Sequence, residues 1–451
     1  MKYGTATPQA LAERAAQLGQ PIMGLTDRDG LYGAVRWALA CRAAGVQPVL
    51  GVDLAMESST PVLLEPGART PAHGGRWRAE DAPRVLLLAS NAIGWASLCR
   101  LVSAAHAEIG DAAGPGNPGQ APLLTWAAVR EHHEGLVALL PPDGEVGRLI
   151  AGQRVHRAAA AARPWRAIFG RRLGVAVVSH RRGGRHVHAT SSAAATLRWA
   201  RGEQLPVVLT NAVRYLDPQD ARIADVLDSA RRLVPLNSRH IDADNGEAYL
   251  KDARAMADLA DEIAIAAGER DARRLLSDTR GLAEFCALDP AADLGIGEVF
   301  VPELDVLLRE PVAEREANAR ASALLRRRCE DAVPHRYPRS ADRRHAALRL
   351  EEELRVIDHL QFAGYFLTVA EVVALIKENG VRVAARGSGA GSLVNHLLGI
   401  SGVDPIRHGL LMERFLSPLR RALPDIDIDV ESARREEIYR WILDRFGPER
   451  T

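Results

Sequence analysis

The chain of 451 residues is long enough for two or three domains, each with its own core. Its apolar content of 47% is ordinary for a globular protein, and its formal net charge of +1 excludes nucleic-acid binding by bulk electrostatics, so any such site must be a local basic patch. No apolar run approaches the roughly 18 residues of a membrane span and no apolar segment follows the first residues, so we expect a cytoplasmic protein without membrane span or secretory signal. The four cysteines include no Cys-x-x-Cys pair, which predicts reduced thiols rather than a zinc ribbon or disulfides.

The first half of the chain alternates between helix and strand patterns. Continuous Val, Leu and Ile runs between helices are typical of strands buried on both faces, and they predict a parallel sheet, either a barrel or doubly wound. The strands are predicted at 21–26, 48–52, 85–88, 135–140, 173–179 and 206–210, and the helices at 8–18, 31–44, 94–106 and 192–201. Segments 57–82 and 110–121 are rich in Pro and Gly and are predicted to be loops, and 245–288 is predicted to be mostly helical.

Polar clusters follow three of the predicted strands, at 27–29, 180–182 and 211–214. Active sites of βα barrels lie at the carboxyl ends of the strands, so these clusters mark a candidate site. Arginine, which is permanently protonated, cannot ligate a metal, so the candidate ligands in these clusters are Asp27, Asp29 and His180. A second interpretation, a metal loop made of His180, His186 and His188, is less favoured than a solvated basic loop, because neighbouring arginines would repel a cation.

The second half begins with a linker around 295–311 and long helices predicted at 312–332 and 344–360. A short strand at 381–384 then leads into a glycine-rich loop, Ala385–Ser392, and an apolar helix start. Glycines let backbone N–H groups turn toward an anion, and a helix N-terminus adds a favourable dipole. Arg386 supplies a positive charge, and Ser388 and Ser392 supply hydroxyl donors. The Gly-Lys-Ser/Thr of a Walker A loop is missing, and such a loop by itself is more often a plain turn.

Three acids alternate with β-branched residues in the segment Pro424–Val430. On a strand, alternate side chains share one face, so the segment has an apolar face and a face with carboxylates roughly 7 Å apart. Such acids repel unless a cation neutralises them, and two Mg²⁺ ions roughly 4 Å apart are the common solution in polymerases and nucleases. The alternative is an edge strand protected by charge. Together with the glycine-rich loop, the acidic strand indicates nucleotidyl transfer.

These motifs carry a resemblance to a family. Residues 349–450 resemble the palm of bacterial DNA polymerase III alpha subunits, the C-family replicative polymerases, and the first half resembles the polymerase-and-histidinol-phosphatase (PHP) domain that precedes that palm. The matching blocks follow the family's order: Arg349–Leu354, Phe362–Leu367, Arg386–Ser392, Asp404-Pro405, Glu413–Pro418 and Pro424–Asp429. The resemblance leaves open whether the parent enzyme is a replicase or an error-prone repair polymerase, with the block Glu431–Arg435 slightly favouring the error-prone or accessory type.

The resemblance implies a role for each matching residue. Asp425 and Asp427 are the catalytic aspartates that hold two Mg²⁺ ions, and Asp429 is a third candidate ligand. The nucleotide-binding residues are Arg386, Gly387, Ser388, Gly389, Gly391, Ser392 and Arg414. Primer–template DNA and deoxynucleoside triphosphates are the implied substrates, and other replisome or repair subunits are the implied partners. Arg420 and Arg421 are candidate DNA contacts, although ordinary surface arginines are the favoured interpretation.

The same resemblance predicts three domains: a PHP-like βα barrel at 1–288, a mixed α/β palm of the nucleotidyltransferase type at 289–431, and the start of a helical thumb at 432–451. The barrel is expected to lack its first strand and to hold no metal, because Arg28, Ala212 and Arg214 stand where metal-active versions have His, Asp and His. A third catalytic aspartate of the family lies downstream of this sequence, so we expect that the 451 residues alone do not extend a primer. Two alternatives stay open: a PHP-type metal phosphoesterase or 3′-exonuclease, and a non-catalytic remnant that binds nucleic acid or nucleotide.

Overall fold

The computed structural model describes residues 3–59, 82–112, 122–232, 234–237, 241, 243–298, 303–308, 313–417 and 424–447. The chain divides into two compact units, 1–296 and 297–451. The predicted loops at 57–82 and 110–121 lie largely outside the described residues, and Arg420 and Arg421 lie entirely outside them.

A six-stranded sheet forms the centre of the first unit. Its strands follow one another in chain order: β1 (Ile22–Arg28), β2 (Gln47–Ala55), β3 (Arg84–Ala89), β4 (Leu136–Leu140), β5 (Leu173–Val177) and β6 (Val207–Leu209). The pairings β1–β2, β4–β5 and β5–β6 are parallel, whereas β3 is antiparallel to both neighbours. The predicted parallel sheet is therefore wrong for β3, because an apolar run indicates that both faces are covered but carries no information about strand direction.

Alternate residues of the strands pack into different cores, which confirms that the sheet is buried on both faces. Leu50 and Val52 belong to the larger core, and their neighbour Val49 belongs to a second core with Leu88 and Val208. The described helices of this unit are α1 (Pro8–Gln17), α2 (Ala34–Ala44), α3 (Ala92–Ala112), α4 (Trp126–Glu131), α5 (Glu145–Ala151), α6 (Val155–Phe169), α7 (Thr190–Gly202), α8 (Ala221–Arg232), α9 (Ala253–Ala266) and α10 (Arg273–Phe285).

Local sequence signals account for the helix ends that were predicted. The Thr7 hydroxyl accepts a hydrogen bond from the Ala10 N–H at 3.2 Å, and Pro8 occupies the first position of α1, where its missing N–H costs no hydrogen bond. Helix α2 ends before Gly45, whose φ of 71° is a left-handed conformation that glycine adopts without strain.

The second unit is mostly helical, with α11 (Leu304–Leu308), α12 (Glu314–Arg336), α13 (Ser340–His359), α14 (Ala363–Glu378), α15 (Leu393–Leu397) and α16 (Arg435–Phe446). A two-stranded antiparallel sheet joins β7 (Val383–Arg386) to β8 (Asp427–Val430). Leu325, Leu354 and Phe366 bring α12, α13 and α14 into one core, and Leu393 of α15 belongs to the same core.

Within the described residues, no single helix has the length and apolar character that a membrane crossing requires. The consecutive helices α13 and α14 pass that test only as a pair, with a bend of 112° between them.

Candidate functional site

The acidic segment has the two faces that its sequence predicts. Ile426, Ile428 and Val430 are half-buried against the apolar cores of the second unit, whereas the intervening aspartates are exposed. Regular strand structure begins at Asp427, so Asp425 lies in the extended segment just before β8. All three carboxylates therefore meet solvent, while the apolar side anchors the strand.

The register of β7 and β8 places the acidic face beside the glycine-rich loop. Arg386 pairs with Asp427 across the sheet, and directly opposite residues of an antiparallel pair share one face. The chain then turns at Gly387, whose φ is 72°; a β-carbon there would lie 3.4 Å from the Asp427 Oδ2. Glycine is needed at this turn because other residues rarely adopt a positive φ. Gly387 and the Asp427 carboxylate are thus immediate neighbours.

The Arg386 side chain lies on the acidic face itself. Its Nε donates a hydrogen bond to the Asp429 Oδ1 at 3.1 Å, and its Nη2 lies 4.0 Å from the Asp427 Oδ2. The three side chains are at least half exposed. The guanidinium therefore neutralises part of the charge that a metal ion would neutralise, and it stays free to turn toward solvent.

The inner side of the loop is held by a carboxylate that sequence reasoning did not assign. Glu353 is fully buried; it accepts hydrogen bonds from the Ser392 hydroxyl at 2.9 Å and from the backbone N–H groups of Leu393 and Val394 at 2.9 and 3.1 Å. Arg349, one helical turn away, donates to the same carboxylate at 2.8 Å. The anion at the N-terminus of α15 is therefore part of the protein.

Ser392 and Gly391, both predicted to bind nucleotide, lie on the buried side of the loop. Ser392 is buried, and its hydroxyl caps α15 by accepting the Asn395 N–H at 3.2 Å. Gly391 is also buried, and a β-carbon there would lie 2.8 Å from the Leu411 carbonyl oxygen, so its glycine is needed for packing. Gly389, likewise buried, accepts a hydrogen bond from the Asn395 side chain at 2.9 Å.

The remaining predicted nucleotide-binding residues are exposed. Ser388 and Arg414 face solvent, and neither side chain has a hydrogen-bond or ion-pair partner within the described part of the chain. Phe415, next to Arg414, is buried and packs edge-on against Phe366 with ring centroids 6.1 Å apart, which fixes that segment beside the loop. Gly389 and Phe415 are close enough that a β-carbon on the glycine would lie 3.7 Å from the ring.

Tyr365 positions the start of the acidic strand and was not assigned a role from sequence, although it lies in one of the matching blocks. Its hydroxyl donates to the Pro424 carbonyl oxygen at 2.8 Å. Burial raises the pKa of Tyr365, and the nearby carboxylates of Asp425 and Asp427 add to the rise, so the hydroxyl stays a donor.

The acidic face suits a cation that takes part of its ligands from a substrate. Mg²⁺ in phosphoryl-transfer sites typically binds one or two carboxylates together with phosphate oxygens and water, and Asp425 and Asp427 offer two exposed carboxylates on one face. No group of three or more His, Cys, Asp or Glu side chains within the described residues is arranged to hold a metal by itself. The residues therefore fit an open, substrate-completed site rather than a closed cage.

In the first unit the strand-end clusters meet, but their side chains are engaged with one another. Tyr3 lies between the ends of β1 and β6, with the guanidinium carbons of Arg28 and Arg214 at 4.9 and 4.2 Å from its ring centre. Arg214 also forms an ion pair with Asp228 at 2.8 Å. The arginines at the positions predicted to lack metal ligands thus form a packed network around an aromatic ring.

The three candidate metal ligands of the first unit also have protein partners. The Asp29 carboxylate accepts the buried Arg84 side chain at 2.7 Å, and Asp27 accepts the Gly33 N–H at 2.5 Å. The His180 Nε2 lies 2.9 Å from the Asn211 carbonyl oxygen. Burial raises the pKa of Asp27, against the opposing hydrogen bond from Gly33, and burial lowers the pKa of His180.

The expected solvated loop is wrong for His180, whereas His186 and His188 are half-buried. His180 is buried and its ring lies 4.7 Å, centre to centre, from that of His188, which in turn lies 5.6 Å from His186. Burial, and after it the neighbouring His180, His186 and Arg182, lower the pKa of His188 to about 3. The three rings are therefore packed against one another, and the lowered pKa values of His180 and His188 favour their neutral forms.

Comparison with known proteins adds two domain matches and a set of relatives. Residues 1–180 match the PHP domain, and residues 323–451 match the bacterial DNA polymerase III alpha NTPase domain. The DNA polymerase III subunit alpha of Caulobacter vibrioides is 30% identical over 99% of this chain and 36% of its own length. The error-prone DNA polymerases of Symbiobacterium thermophilum and Mycolicibacterium paratuberculosis are each 32% identical, over 97% and 98% of this chain and 36% and 37% of their own lengths. The chain thus spans little more than a third of these relatives.

Proposed function

This chain belongs to the family of bacterial DNA polymerase III alpha subunits and error-prone DNA polymerases, and on that premise we propose that its second unit serves template-directed nucleotidyl transfer, as a DNA-directed DNA polymerase in replication or repair synthesis. The observation that carries the proposal is the register of β7 and β8, which puts the Gly387 turn against the Asp427 carboxylate. A triphosphate on the loop and divalent cations on the acidic face would then meet at one place.

The proposed architecture follows the family: a PHP barrel at 1–288, a polymerase palm at 289–431 and the beginning of a thumb from 432. The proposed substrates are primer–template DNA and deoxynucleoside triphosphates, with replisome or repair subunits as partners. The cytoplasm is the proposed compartment. For the first unit we propose a structural role without metal, supported by the protein partners of Asp27, Asp29 and His180.

Each exposed group has a defined part in the proposed reaction. Asp425 and Asp427 would hold two Mg²⁺ ions, with Asp429 as the third candidate ligand. The chemistry that metals held there would supply is a lowered pKa at the primer 3′-hydroxyl and neutralisation of the leaving pyrophosphate. Backbone N–H groups of Gly387 and Ser388, the Ser388 hydroxyl and the Arg414 guanidinium, all at exposed positions, would contact the phosphates and stabilise the negative charge that develops during transfer.

The site is tested by measuring metal and nucleotide binding separately on the 451-residue chain. Mn²⁺ binding is followed by electron paramagnetic resonance, and binding of a non-hydrolysable deoxynucleoside triphosphate is followed by calorimetry with Mg²⁺. We expect Asp427→Asn to weaken Mn²⁺ binding by about tenfold, since one charged ligand contributes roughly 1.4 kcal/mol or more. The matched control is Asp444→Asn, the same change at an exposed acid of α16.

Gly387→Ala tests the loop. Alanine at this position would have to keep the positive φ of 72°, and its β-carbon would lie 3.4 Å from the Asp427 Oδ2. Nucleotide binding should therefore weaken by about tenfold.

The proposed metal site would be refuted if Asp427→Asn, Asp444→Asn and the unmodified chain bound Mn²⁺ with equal affinity.

A further inference from the structure

A group of exposed cations lies in the second unit outside the proposed catalytic site. It comprises Arg336 at the end of α12, Arg339 in the turn to α13, Arg343 and Arg344 at the start of α13, Lys377 at the end of α14, and Arg407. We name these six residues the basic surface. None of them forms an ion pair with a residue that the structure describes, although arginines elsewhere in this unit, such as Arg326 and Arg445, do.

Tertiary contacts bring the parts of the basic surface together. The Tyr337 hydroxyl donates to the Asp404 carboxylate at 2.8 Å, and the Arg407 backbone N–H donates to the same oxygen at 3.2 Å. Asp404 therefore joins the turn between α12 and α13 to the loop that carries Arg407, and its carboxylate is engaged inward instead of neutralising the surface.

Two of the cations converge on one point. The Lys377 Nζ donates to the Gly399 carbonyl oxygen at 2.6 Å. A β-carbon on Gly399 would lie 3.5 Å from that Nζ and 3.7 Å from the Arg336 Nη2. Both positive groups thus face the same small space beside a residue without a side chain. Like charges that face one another repel, and an anion placed between them relieves the repulsion.

The arginines at the N-terminus of α13 do not stabilise the folded helix. The N-terminus of a helix carries a partial positive charge, which stabilises acids and destabilises cations in the first turn. Arg339 occupies the N-cap of α13 and provides no side-chain cap, and Arg343 and Arg344 follow within five residues, against the single acid Asp342. Positive charge at this helix end fits a role in binding better than a role in stability.

We propose that the basic surface binds the phosphate backbone of DNA. The cations are exposed and spread over three helix ends and a loop, an arrangement that suits a chain of regularly spaced phosphates better than one small anion. Helix α15 lies between the glycine-rich loop and Gly399, and five helical residues span roughly 8 Å. The surface is therefore close enough to contact a strand that enters the proposed polymerase site. The choice of DNA as the polyanion rests on the proposed function.

The test measures the salt dependence of DNA binding by fluorescence anisotropy, with the 451-residue chain and a labelled primer–template, from 50 to 300 mM KCl as roughly the range over which phosphate contacts are screened. The variant Arg336→Gln/Arg343→Gln/Lys377→Gln should bind at least about tenfold more weakly at low salt. Its slope of log K against log[salt] should be smaller by about one for each DNA phosphate that the variant no longer neutralises. The control is Arg222→Gln/Arg274→Gln/Arg440→Gln, which removes three exposed arginines elsewhere that form no ion pair with any described residue.

The outcomes separate this inference from the proposed function. Retained metal and nucleotide binding by the surface variant shows that it is folded and that the catalytic site is intact. The inference is overturned if the unmodified chain does not bind DNA, if the surface variant keeps its affinity and slope, or if the control loses as much affinity as the surface variant. Loss of metal binding in Asp427→Asn with unchanged DNA binding would support both the proposed metal site and DNA binding by the basic surface.

Discussion

Replacing Arg386 should change metal and nucleotide binding in opposite directions. The guanidinium lies 3.1 Å from the Asp429 carboxylate and 4.0 Å from that of Asp427, so a metal ion has to displace it or bear its repulsion. When a triphosphate is present, the same guanidinium can turn to the phosphates. Arg386→Gln should therefore strengthen the binding of a free metal ion and weaken the binding of the nucleotide.

The solvent exposure of Arg386 and Asp429 determines how large the two changes in affinity should be. The Arg386 and Asp429 side chains are 65% and 61% exposed, and an exposed ion pair contributes about 0.2–1 kcal/mol. Its loss should tighten Mn²⁺ binding up to about fivefold. A charge-assisted hydrogen bond to phosphate contributes about 1.5–3 kcal/mol, so nucleotide affinity should fall by at least about tenfold.

The assay is Mn²⁺ titration without nucleotide, followed by calorimetric titration of the triphosphate analogue with saturating Mg²⁺. Arg382→Gln is the matched control, because Arg382 is 94% exposed and lies just before β7, with Glu431 as its neighbour at 3.8 Å. If both affinities fall in Arg386→Gln, or if the control behaves in the same way, Arg386 does not alternate between the acidic face and the phosphates.

Three further predictions concern stability. Glu353→Gln should lower the free energy of unfolding of the second unit by roughly 3 kcal/mol in urea titrations, because it removes the charge that pairs with Arg349; its exposed neighbour Glu352→Gln should have no such effect. Gly391→Ala should cost about 1–3 kcal/mol in the same assay, since its β-carbon would lie 2.8 Å from a backbone oxygen, whereas Gly402→Ala, with open space around it, should be neutral. The pKa of His188 is about 3 in the folded chain, below its ordinary value of 6.5, so the unfolded chain takes up the proton first and stability falls as the pH drops below 6.5. His188→Gln should remove up to roughly 1.4 kcal/mol per pH unit of that dependence between pH 6.5 and 5, and an unchanged slope would contradict the assignment.

The strands of the first unit were predictable because a strand buried on both faces has a continuous run of Val, Leu and Ile in its sequence. Each predicted strand overlaps an observed one, including Val85–Leu88 within β3. The antiparallel direction of β3 has no such pattern in its own sequence, because strand direction depends on the segments that connect the strands. Helix α14 was missed for a related reason: its residues from Ala363 to Ile376 are apolar on nearly every side, so no helical period stands out.

The faces of β8 were predictable from a period of two, but the partners of its residues were not. The proximity of Arg386 to Asp427 depends on strand register, and Glu353 reaches the loop from some forty residues upstream. A glycine-rich loop before a helix indicates an anion at the helix N-terminus without telling whether the anion is a ligand or a side chain. Here it is the side chain of Glu353, and the four-residue spacing of Arg349 and Glu353 was the one available signal.

The structure separates the exposed residues that we propose to contact the substrate from the buried residues that support them. Ser388, Arg414 and the aspartates are exposed, whereas Glu353 and Ser392 are buried and fully engaged behind the loop. A site built in this way keeps its geometry without ligand, because buried hydrogen bonds fix the backbone that carries the exposed groups. Substitution of a supporting residue should therefore lower stability and affinity together, while substitution of an exposed residue should change affinity alone. That difference allows the two classes to be distinguished by comparing unfolding and binding in the same set of variants.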